Sequence, residues 1–589
     1  MDRGAAKSDG ERNAAASGSV GANDAAILEA FGREPAPLLP LLHAFHDRDG
    51  YLSEASIRVV ADALRIPLAD LYGTVTFYDH FARFPPGKSA PRVCNGPVCM
   101  LNGAPAILDA MRKDGATPMP CAGRCDDPCP VILGDDVVVG TSATTLENRP
   151  TSVPIPNPGG IEECLFHAIR DPQRKTLDGY LATGGMKSLE RAAQLGADAL
   201  LEAITDSKLA GRGGAGFPTG VKMRAVRDAA CEVLRTTKYG AQKYVVCNAD
   251  EGEPGCFKDR VLMDHDPFAL IEGMAIAALA TGATTGFVYL RYEYPQTLRV
   301  LEDAIAACAA RGFLGSDVMG TGQTFHLHVR RGAGAYICGE ETSLLNSLEG
   351  KHPFPRNKPP FPTTHGFDGM PTLVNNVETL CALPRIVVEG AAWYRGLGLG
   401  DHAGTKIISL SGDVAKPGNY EVPFGLPLKT LIEEWAGGVP NGRRVQAVTM
   451  AGLSGGFLAG DALDVTLDEA SIRKHGSFLG AGGIMVFDDS RDMVEVARQA
   501  MDFFAHESCG KCFPCRIGTK RLTERLEGSA GPAVHEDFVT ELRDISEVMM
   551  STSACGLGVA APLVVTSLLQ HFPDAVAQHV TSTRSGDDV

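Results

Sequence analysis

The sequence predicts a multidomain α/β protein, on three observations. Between 161 and 397, β-branched runs such as KYVVCN and GFVYLRY alternate with helical stretches such as PFALIEGMAIAALATG, as in a strand–helix sheet domain. From about 405 to 489, short strand-like runs (TKIISLSGDV, GNYEVPFG, RVQAVTMAG, GIMVFDD) surround one helical stretch, LPLKTLIEEWAG, which suits a small β-grasp unit. Helical segments open and close the chain, and two groups of four cysteines lie in or beside them.

Bulk properties narrow the classes. At 589 residues, 44% apolar and 21% charged, the chain has room for several domains, each with its own core. The 55 basic residues against 71 acidic ones leave a net charge of −16, which argues against a nucleic-acid or anionic-membrane surface. No apolar run reaches the ~18 residues a membrane span needs. The first 24 residues lack an apolar signal core and read as a disordered tail, so a cytoplasmic location is expected. Sixteen cysteines there point to metal or redox chemistry over disulfides. Those outside the two groups (Cys129, Cys164, Cys231, Cys247, Cys256, Cys308, Cys338 and Cys381) read as small buried apolar residues.

Taken in order, residues 25–86 carry three- and four-residue apolar spacing and predict a helical bundle, with His43 and His46 packing or capping inside it. Asp47 and Asp49 before Gly50 form a polar turn too short for a calcium loop. Residues 87–140 predict a small α/β unit, in which the strands APRVCNG and VILGDDVVVG flank the helix GAPAILDAMRK. It holds Cys94-x4-Cys99 and Cys121-x3-Cys125. Four thiolates in two close pairs can bind a two-iron cluster or one tetrahedral zinc, although zinc ribbons favour a C-x2-C knuckle. A Pro/Ser/Thr/Asn-rich linker follows over 141–160.

The stretch AGRGGAGFPTGVK spells G-x-G-x-x-G at Gly211, Gly213 and Gly216, but helical residues precede it where the dinucleotide fingerprint needs a strand. What remains is a glycine-rich loop, including Gly214, with Lys222 close behind, suited to a phosphate or a flat ring. The strand KYVVCN then ends in Asn248, Asp250, Glu251 and Glu253, and ligands of α/β sheets sit outside such strand ends. Taken alone, the stretch reads better as a glycine turn followed by a solvated acidic loop, since short patterns match by chance. A second glycine-rich stretch, RRGAGAYICGEETSLLNSLEGK, places Glu340 and Glu341 after its glycines. A third, NKPPFPTTHGFDGMPTLVNNVETL, adds Lys358, Phe361, Asn375 and Asn376. In the helical C-terminal stretch 491–589, Cys509-x2-Cys512-x2-Cys515 and the distant Cys555 fit a four-iron cubane, with zinc as the other possibility. Lys511 and Arg516 flank that run and would offset the charge of a thiolate-ligated cluster.

At these residues, from about Ile161 onward, the chain resembles the flavin-carrying, NADH-binding subunit of respiratory complex I. It is still more similar to the corresponding subunits of NAD-linked formate dehydrogenases and NAD-reducing hydrogenases. The spacing at Cys94–Cys125 matches the thioredoxin-like iron–sulfur subunit that accompanies them. The resemblance implies a thioredoxin-like [2Fe–2S] domain (87–140), a Rossmann-like FMN domain (161–397), a β-grasp domain of structural role (398–490) and a helical [4Fe–4S] domain (491–589). It implies FMN, NAD, [2Fe–2S] and [4Fe–4S] as cofactors, with FMN between NAD(H) and the [4Fe–4S] cluster.

Residue by residue, the resemblance implies that Gly211, Gly213, Gly214 and Lys222 hold the FMN phosphate and ribityl chain. Asn248, Asp250, Glu251, Asn375 and Asn376 would hold its polar edges. Phe217 and Phe361 would stack on adenine, though either alone could be core. Glu253, Glu341 and Lys358 would contact the rest of NAD, with Glu253 and Glu341 as catalytic candidates and Glu340 a further cofactor contact. Ala225 departs from the pattern where an aromatic is frequent, and Cys256 where a hydroxyl is expected. Fusion of the two modules is typical of formate dehydrogenase and hydrogenase subunits, and the full thiol set leans the expectation to the β subunit of an NAD-dependent formate dehydrogenase. Its expected partners are a molybdenum or tungsten catalytic subunit, alternatively hydrogenase subunits, and a further small iron–sulfur subunit. The alternatives are a hydrogenase diaphorase, a complex I flavoprotein, or a non-catalytic electron-transfer and assembly subunit, against which the intact glycines, acids and Lys358 speak.

Overall fold

Successive side chains of a strand point to opposite faces, and in the run YVVCNA both faces are apolar. The molecule is built around that double demand. A computed structural model describes residues 22–32, 34–148, 155–230, 242–400, 402–528 and 535–585. The expected tail as far as residue 21, residues 149–154 of the expected linker, and Cys231 lie outside the described residues.

The chain first forms helices Ala22–Phe31, Leu38–Asp49, Glu54–Leu64 and Leu68–Phe77. A five-stranded sheet of order β2-β1-β3-β4-β5 follows, with β1 Arg92–Cys94, β2 Thr117–Met119, β3 Pro130–Leu133, β4 Asp136–Val139 and β5 Glu147–Asn148. The run VILGDDVVVG, expected as one strand, is the hairpin β3–β4, turned at Gly134 with φ +63°. The central sheet is parallel, of order β8-β7-β6-β9, with β6 Tyr244–Ala249, β7 Thr285–Leu290, β8 His326–Arg331 and β9 Thr372–Asn376. The third unit is a sheet of order β11-β10-β14-β12-β13, with β10 Thr405–Gly412, β11 Gly418–Pro423, β12 Val445–Thr449, β13 Phe457–Ala459 and β14 Gly483–Asp488. Its expected helix is wound as a π-helix over Thr430–Trp435. Helices from Met493–His506 to Pro573–Ser585 complete the chain.

On the central sheet, Val245, Cys247, Val288 and Leu290 join one core with the almost wholly buried helix Pro267–Thr281 and the helices Lys187–Asp206 and Val377–Glu389. The alternate residues Tyr244, Val246, Phe287 and Tyr289 join a second core with Leu41, Leu42 and Phe45. The N-terminal helices therefore cover the second face of the central sheet. Strand order reverses between β6 and β9, and open α/β sheets bind ligands at such a switch point. Among the described residues no single helix is long and apolar enough to cross a membrane.

Candidate functional site

At the C-terminal end of β6 the acidic turn opens onto a cavity of about 630 Å³. Its walls include Gly213, Gly214, Asn248, Asp250, Glu251, Glu253, Glu340 and Asn376, and also Cys555, Gly556 and Leu557. The glycine loop lies between helices Lys187–Asp206 and Thr219–Asp228, so no strand feeds it and the dinucleotide fingerprint does not apply. Its glycines have local reasons. A Cβ on Gly213 would stand 3.0 Å from that of Asn376, and Gly214 holds φ +115° against the backbone of Gly480 and Ala481. Those last two residues belong to the β-grasp unit, as do the cavity residues Ala451, Ser454, Glu469, Arg473 and Phe478. The role expected for that unit is thus corrected: it is a wall of the site as well as a spacer. Lys406 on β10 reinforces the joint through its buried ion pair with Glu378.

Each acid of the turn is held differently. Asn248 donates to the Gly339 carbonyl at 2.8 Å and accepts from the Asp250 amide at 3.2 Å. Glu251 accepts from the amides of Asp259 (2.9 Å) and Arg260 (3.2 Å) and from the Tyr294 hydroxyl (3.0 Å). Burial, with the charge of Asp259 beside it, pushes the Glu251 carboxyl up to about 7. Glu253 accepts from the amides of Leu453 (2.8 Å) and Ser454 (3.0 Å), the Ser454 hydroxyl (2.8 Å) and the Tyr336 hydroxyl. Expected as catalytic, Glu253 is saturated by contacts that fasten the turn to the β-grasp wall. Burial raises the Asp250 acid well above the usual range, and its Oδ2 finds no partner among the described residues. The same holds for the Nδ2 of Asn375 on β9. The orphaned Asp250 oxygen stands at a strand end on the cavity wall and fits a polar ring system such as FMN, whereas Asn375 does not line the cavity. Asn376 is committed elsewhere. It donates to Asp259 at 2.6 Å, accepts from Lys258 at 3.0 Å and caps the helix Val377–Glu389.

A second group lies outside the cavity wall. Lys222 reaches the Val374 carbonyl and Glu341, both at 2.8 Å, so the lysine expected at the FMN phosphate is engaged with the acid expected at the ribose. Lys358 contacts Glu340 at 3.0 Å and Glu341 at 2.9 Å. Burial opposes ionisation of Glu341, but the two lysines outweigh it and hold the carboxyl below its usual range. The helix Glu341–Leu348 is capped by Glu340, which accepts from the amides of Thr342 and Ser343 at 2.9 Å. Phe217 is 52% exposed and Phe361 55%, so neither is core. Ala225 is also exposed, on the same helix as Lys222, while Cys256 is buried on the cavity wall.

The cysteines assemble as two quartets. Cys94, Cys99, Cys121 and Cys125 are all buried, with the Sγ atoms of Cys121 and Cys125 3.7 Å apart. Backbone amides of Ala122 (3.4 Å), Cys129 (3.3 Å) and Gly123 (3.4 Å) point at Cys94, Cys99 and Cys121, and N–H donors of this kind stabilise thiolates. The Cys129 thiol itself donates to the carbonyls of Cys99 and Asn102, as a bystander does. At the other end Cys515 is buried, and Cys509, Cys512 and Cys555 are partly exposed. A Cβ on Gly558 would come within 2.8 Å of that of Cys515, so this glycine lets the Cys555 turn close on the Cys509–Cys515 loop. Four convergent thiols suit iron–sulfur clusters at both places. Lys511, expected to offset the second cluster's charge, donates to the Pro355 carbonyl at 2.6 Å, and its charge still favours the Cys509 thiolate.

His46, Asp47 and His80 also come together, but their proton positions oppose a metal. His46 Nε2 accepts from the Ala82 amide and His80 Nδ1 from the Arg92 guanidinium, which leaves N–H on the opposite ring atoms. His43, expected inside the helical bundle, reaches out of it to donate to the Gly332 carbonyl at 2.9 Å.

Known proteins carry the same parts in the same order. Residues 25–148 match the thioredoxin-like [2Fe-2S] ferredoxin family and residues 204–385 the Nuo51 FMN-binding domain. Residues 407–457 match the SLBB domain, and 495–579 the iron–sulfur binding region of NADH-ubiquinone oxidoreductase-F. The chain is 44% identical over 427 residues to the second F-type subunit of the NADH-quinone oxidoreductase of Rhizobium meliloti, covering 72% of this chain and 99% of that one. It is 35% identical over 578 residues to the alpha subunit of the NAD-reducing hydrogenase HoxS of Cupriavidus necator, 93% of this chain and 92% of the relative. A crystal structure of an NAD+-reducing [NiFe]-hydrogenase in the H2-reduced state superposes with a TM-score of 0.75 at 32% identity, over 93% of this chain and 94% of that chain. The relatives are named for hydrogenases and NADH-quinone oxidoreductases, and none of these for a formate dehydrogenase. With a cavity and two thiol quartets to match, the chain belongs to the flavoprotein family shared by NADH-quinone oxidoreductases and hydrogenase diaphorases, and is an NAD-dependent oxidoreductase module for FMN, [2Fe–2S] and [4Fe–4S].

Proposed function

We propose that the chain is the diaphorase subunit of a larger oxidoreductase, exchanging a hydride between NAD(H) and FMN and passing single electrons to a partner subunit. One observation carries this reading: a single cavity runs from the glycine loop and the acidic turn to Cys555 of the second quartet. Bound there, FMN would supply the conversion between two-electron and one-electron chemistry. The chain's own residues do the rest. Gly213 and Gly214 leave room for a close backbone approach, Asp250 offers a polar group, and Glu253 holds the turn against the β-grasp wall. Phe217 and Phe361 stand exposed, Phe217 just ahead of Lys222 in the chain and Phe361 just after Lys358, the two lysines that pair with Glu341.

Phe513, between Cys512 and Cys515, is 77% exposed, and Ile517 one turn on is exposed as well. Apolar surface at a cluster edge suits a protein acceptor. For that partner a hydrogenase has more support than a formate dehydrogenase, because the relative matched along 93% of this chain is named for a hydrogenase. The formate reading rests on the complete quartet Cys94, Cys99, Cys121 and Cys125. Nickel in the co-purified partner would decide for the first, and molybdenum or tungsten for the second.

The isolated chain is expected to carry about one FMN and about six irons, and to reduce dyes with NADH but not with hydrogen or formate. Cys555→Ser should remove the four-iron signal and leave dye reduction that accepts directly from the flavin. Zinc in place of iron, or dye reduction lost in a folded Cys555→Ser protein, would overturn this order of cofactors.

A further inference from the structure

The loop that carries Cys121 and Cys125 is held by the flavin domain as well as by its own. Arg291, the residue after β7, is 3% exposed, and all three of its guanidinium nitrogens are engaged. One edge is gripped by Glu293, at 3.0 Å to Nε and 2.9 Å to Nη2. From the other side it donates to the Glu251 carbonyl, on the turn that lines the cavity, and at 2.5 Å to the carbonyl of Cys121. Its plane lies over the Tyr294 ring at 5.0 Å. A void of about 10 Å³, lined among others by Pro120, Asp250, Gly252, Arg291 and Glu293, lies beside this bridge. On one side is the turn that lines the flavin cavity, and on the other the cysteine loop.

We infer that Arg291 is a positioning residue for the two-iron site, fixing the Cys121 loop to the flavin-cavity turn and setting the reduction potential of the cluster that loop holds. This rests on reading Cys94, Cys99, Cys121 and Cys125 as [2Fe–2S] ligands. Geometry and charge both support it. An arginine fork can span two carbonyls, whereas a lysine ammonium is a point donor without a planar fork. Glu293 pins the fork, so the distance from Glu251 to Cys121 is set by a rigid plane. Donors aimed at the peptide carbonyl of a ligating cysteine draw electron density from that ligand and stabilise the cluster once it has gained an electron. Arg260 supports the same loop, donating to the Gly123 carbonyl at 3.1 Å and to Asp126 at 2.8 Å, but it touches no ligand residue of the quartet. The Cys121 carbonyl is the point at which a flavin-domain side chain grips a ligand residue, beside the Gly255 amide directed at the Cys125 thiol.

The test uses the full chain, reconstituted with iron and FMN, in three forms: wild type, Arg291→Lys, and the charge-neutral pair Arg291→Met with Glu293→Gln. The double change removes the bridge without leaving Glu293 as an unpaired buried acid. The readout is the EPR signal and one-electron midpoint of the two-iron site, titrated with dithionite, with FMN content and the four-iron signal as internal controls. In both variants the two-iron midpoint is expected to move to lower potential and its g-values to change, more in the double variant, while FMN and the four-iron signal stay. Loss of the two-iron signal alone would support the role equally. An unchanged two-iron midpoint and spectrum in the double variant would overturn it. If the double variant does not accumulate, Arg291→Lys is read by the same criteria. A wild-type chain with no two-iron signal would overturn the cluster reading, a failure distinct from that of the arginine.

Discussion

Glu341 stands between Lys222 and Lys358, and both neighbours keep it ionised. A carboxylate there favours ribose hydroxyls and repels a 2′-phosphate, a like-charge juxtaposition that typically costs several kcal/mol. Glu341→Gln would remove the repulsion and release two lysines. It is expected to raise kcat/KM for NADPH relative to NADH, and an unchanged ratio would refute the role. Capping cannot explain this residue, because Glu340 is the cap. Glu340→Ala should therefore lower stability by about 1 kcal/mol through loss of the cap, whereas any loss in Glu341→Gln comes from its ion pairs with Lys222 and Lys358 and not from capping. The pair of acids was legible in CGEET, but the division of labour between them was not, since it depends on which of two adjacent residues has extended backbone. Phe217 and Phe361 were likewise legible as aromatics only. Their exposure follows from the loops that carry them.

The glycine loop was legible as a close-approach element, and the missing strand before it correctly set aside the fingerprint. Gly214→Ala tests it at this scale. With φ +115° any side chain is strained, at about 1–3 kcal/mol, and the loop also abuts Gly480–Ala481. FMN should be bound tenfold or more weakly, read as flavin lost on gel filtration, with the four-iron signal retained. Full retention of flavin would mean that the loop does not touch it. The β-grasp wall is where sequence reasoning fell short. Glu253 is held by the amides of Leu453 and Ser454, two hundred residues on, and backbone donors carry no side-chain signature. The hairpin β3–β4 was hidden for a related reason: VILGDDVVVG is apolar on both sides of a short Gly–Asp turn, and apolar run length alone does not divide it.

The N-terminal helices share one core with a face of the central sheet, and three buried histidines lie in that joint. His43 donates to the Gly332 carbonyl, His46 accepts from the Ala82 amide, and His80 accepts from Arg92. Around them stand the cations Arg331, Arg92 and Lys88 and the acids Asp47 and Asp135, which pair with Lys88 and Arg331. Burial first, and the nearby arginines next, hold His43 and His80 well below the ordinary imidazole range and bring His46 down to about 4. An unfolded imidazole takes its proton near pH 6.5, before the folded one does. The stability these groups allow is therefore complete above pH 6.5 and is lost as pH falls toward 4 for His46, and further for the other two. Glu251 and Glu421, raised to about 7 by burial, act with the opposite sign, so a global melting curve would sum opposing terms. A local probe separates them. Hydrogen exchange of the helix Leu38–Asp49, corrected for intrinsic pH dependence, should accelerate below pH 6.5 by up to about tenfold per pH unit for each proton taken up on opening. His43→Gln keeps a donor for the Gly332 carbonyl but cannot titrate, and it should flatten that slope while leaving exchange at pH 7.5 little changed. An identical slope in the variant would remove His43 from the account and place the acid sensitivity of the joint elsewhere.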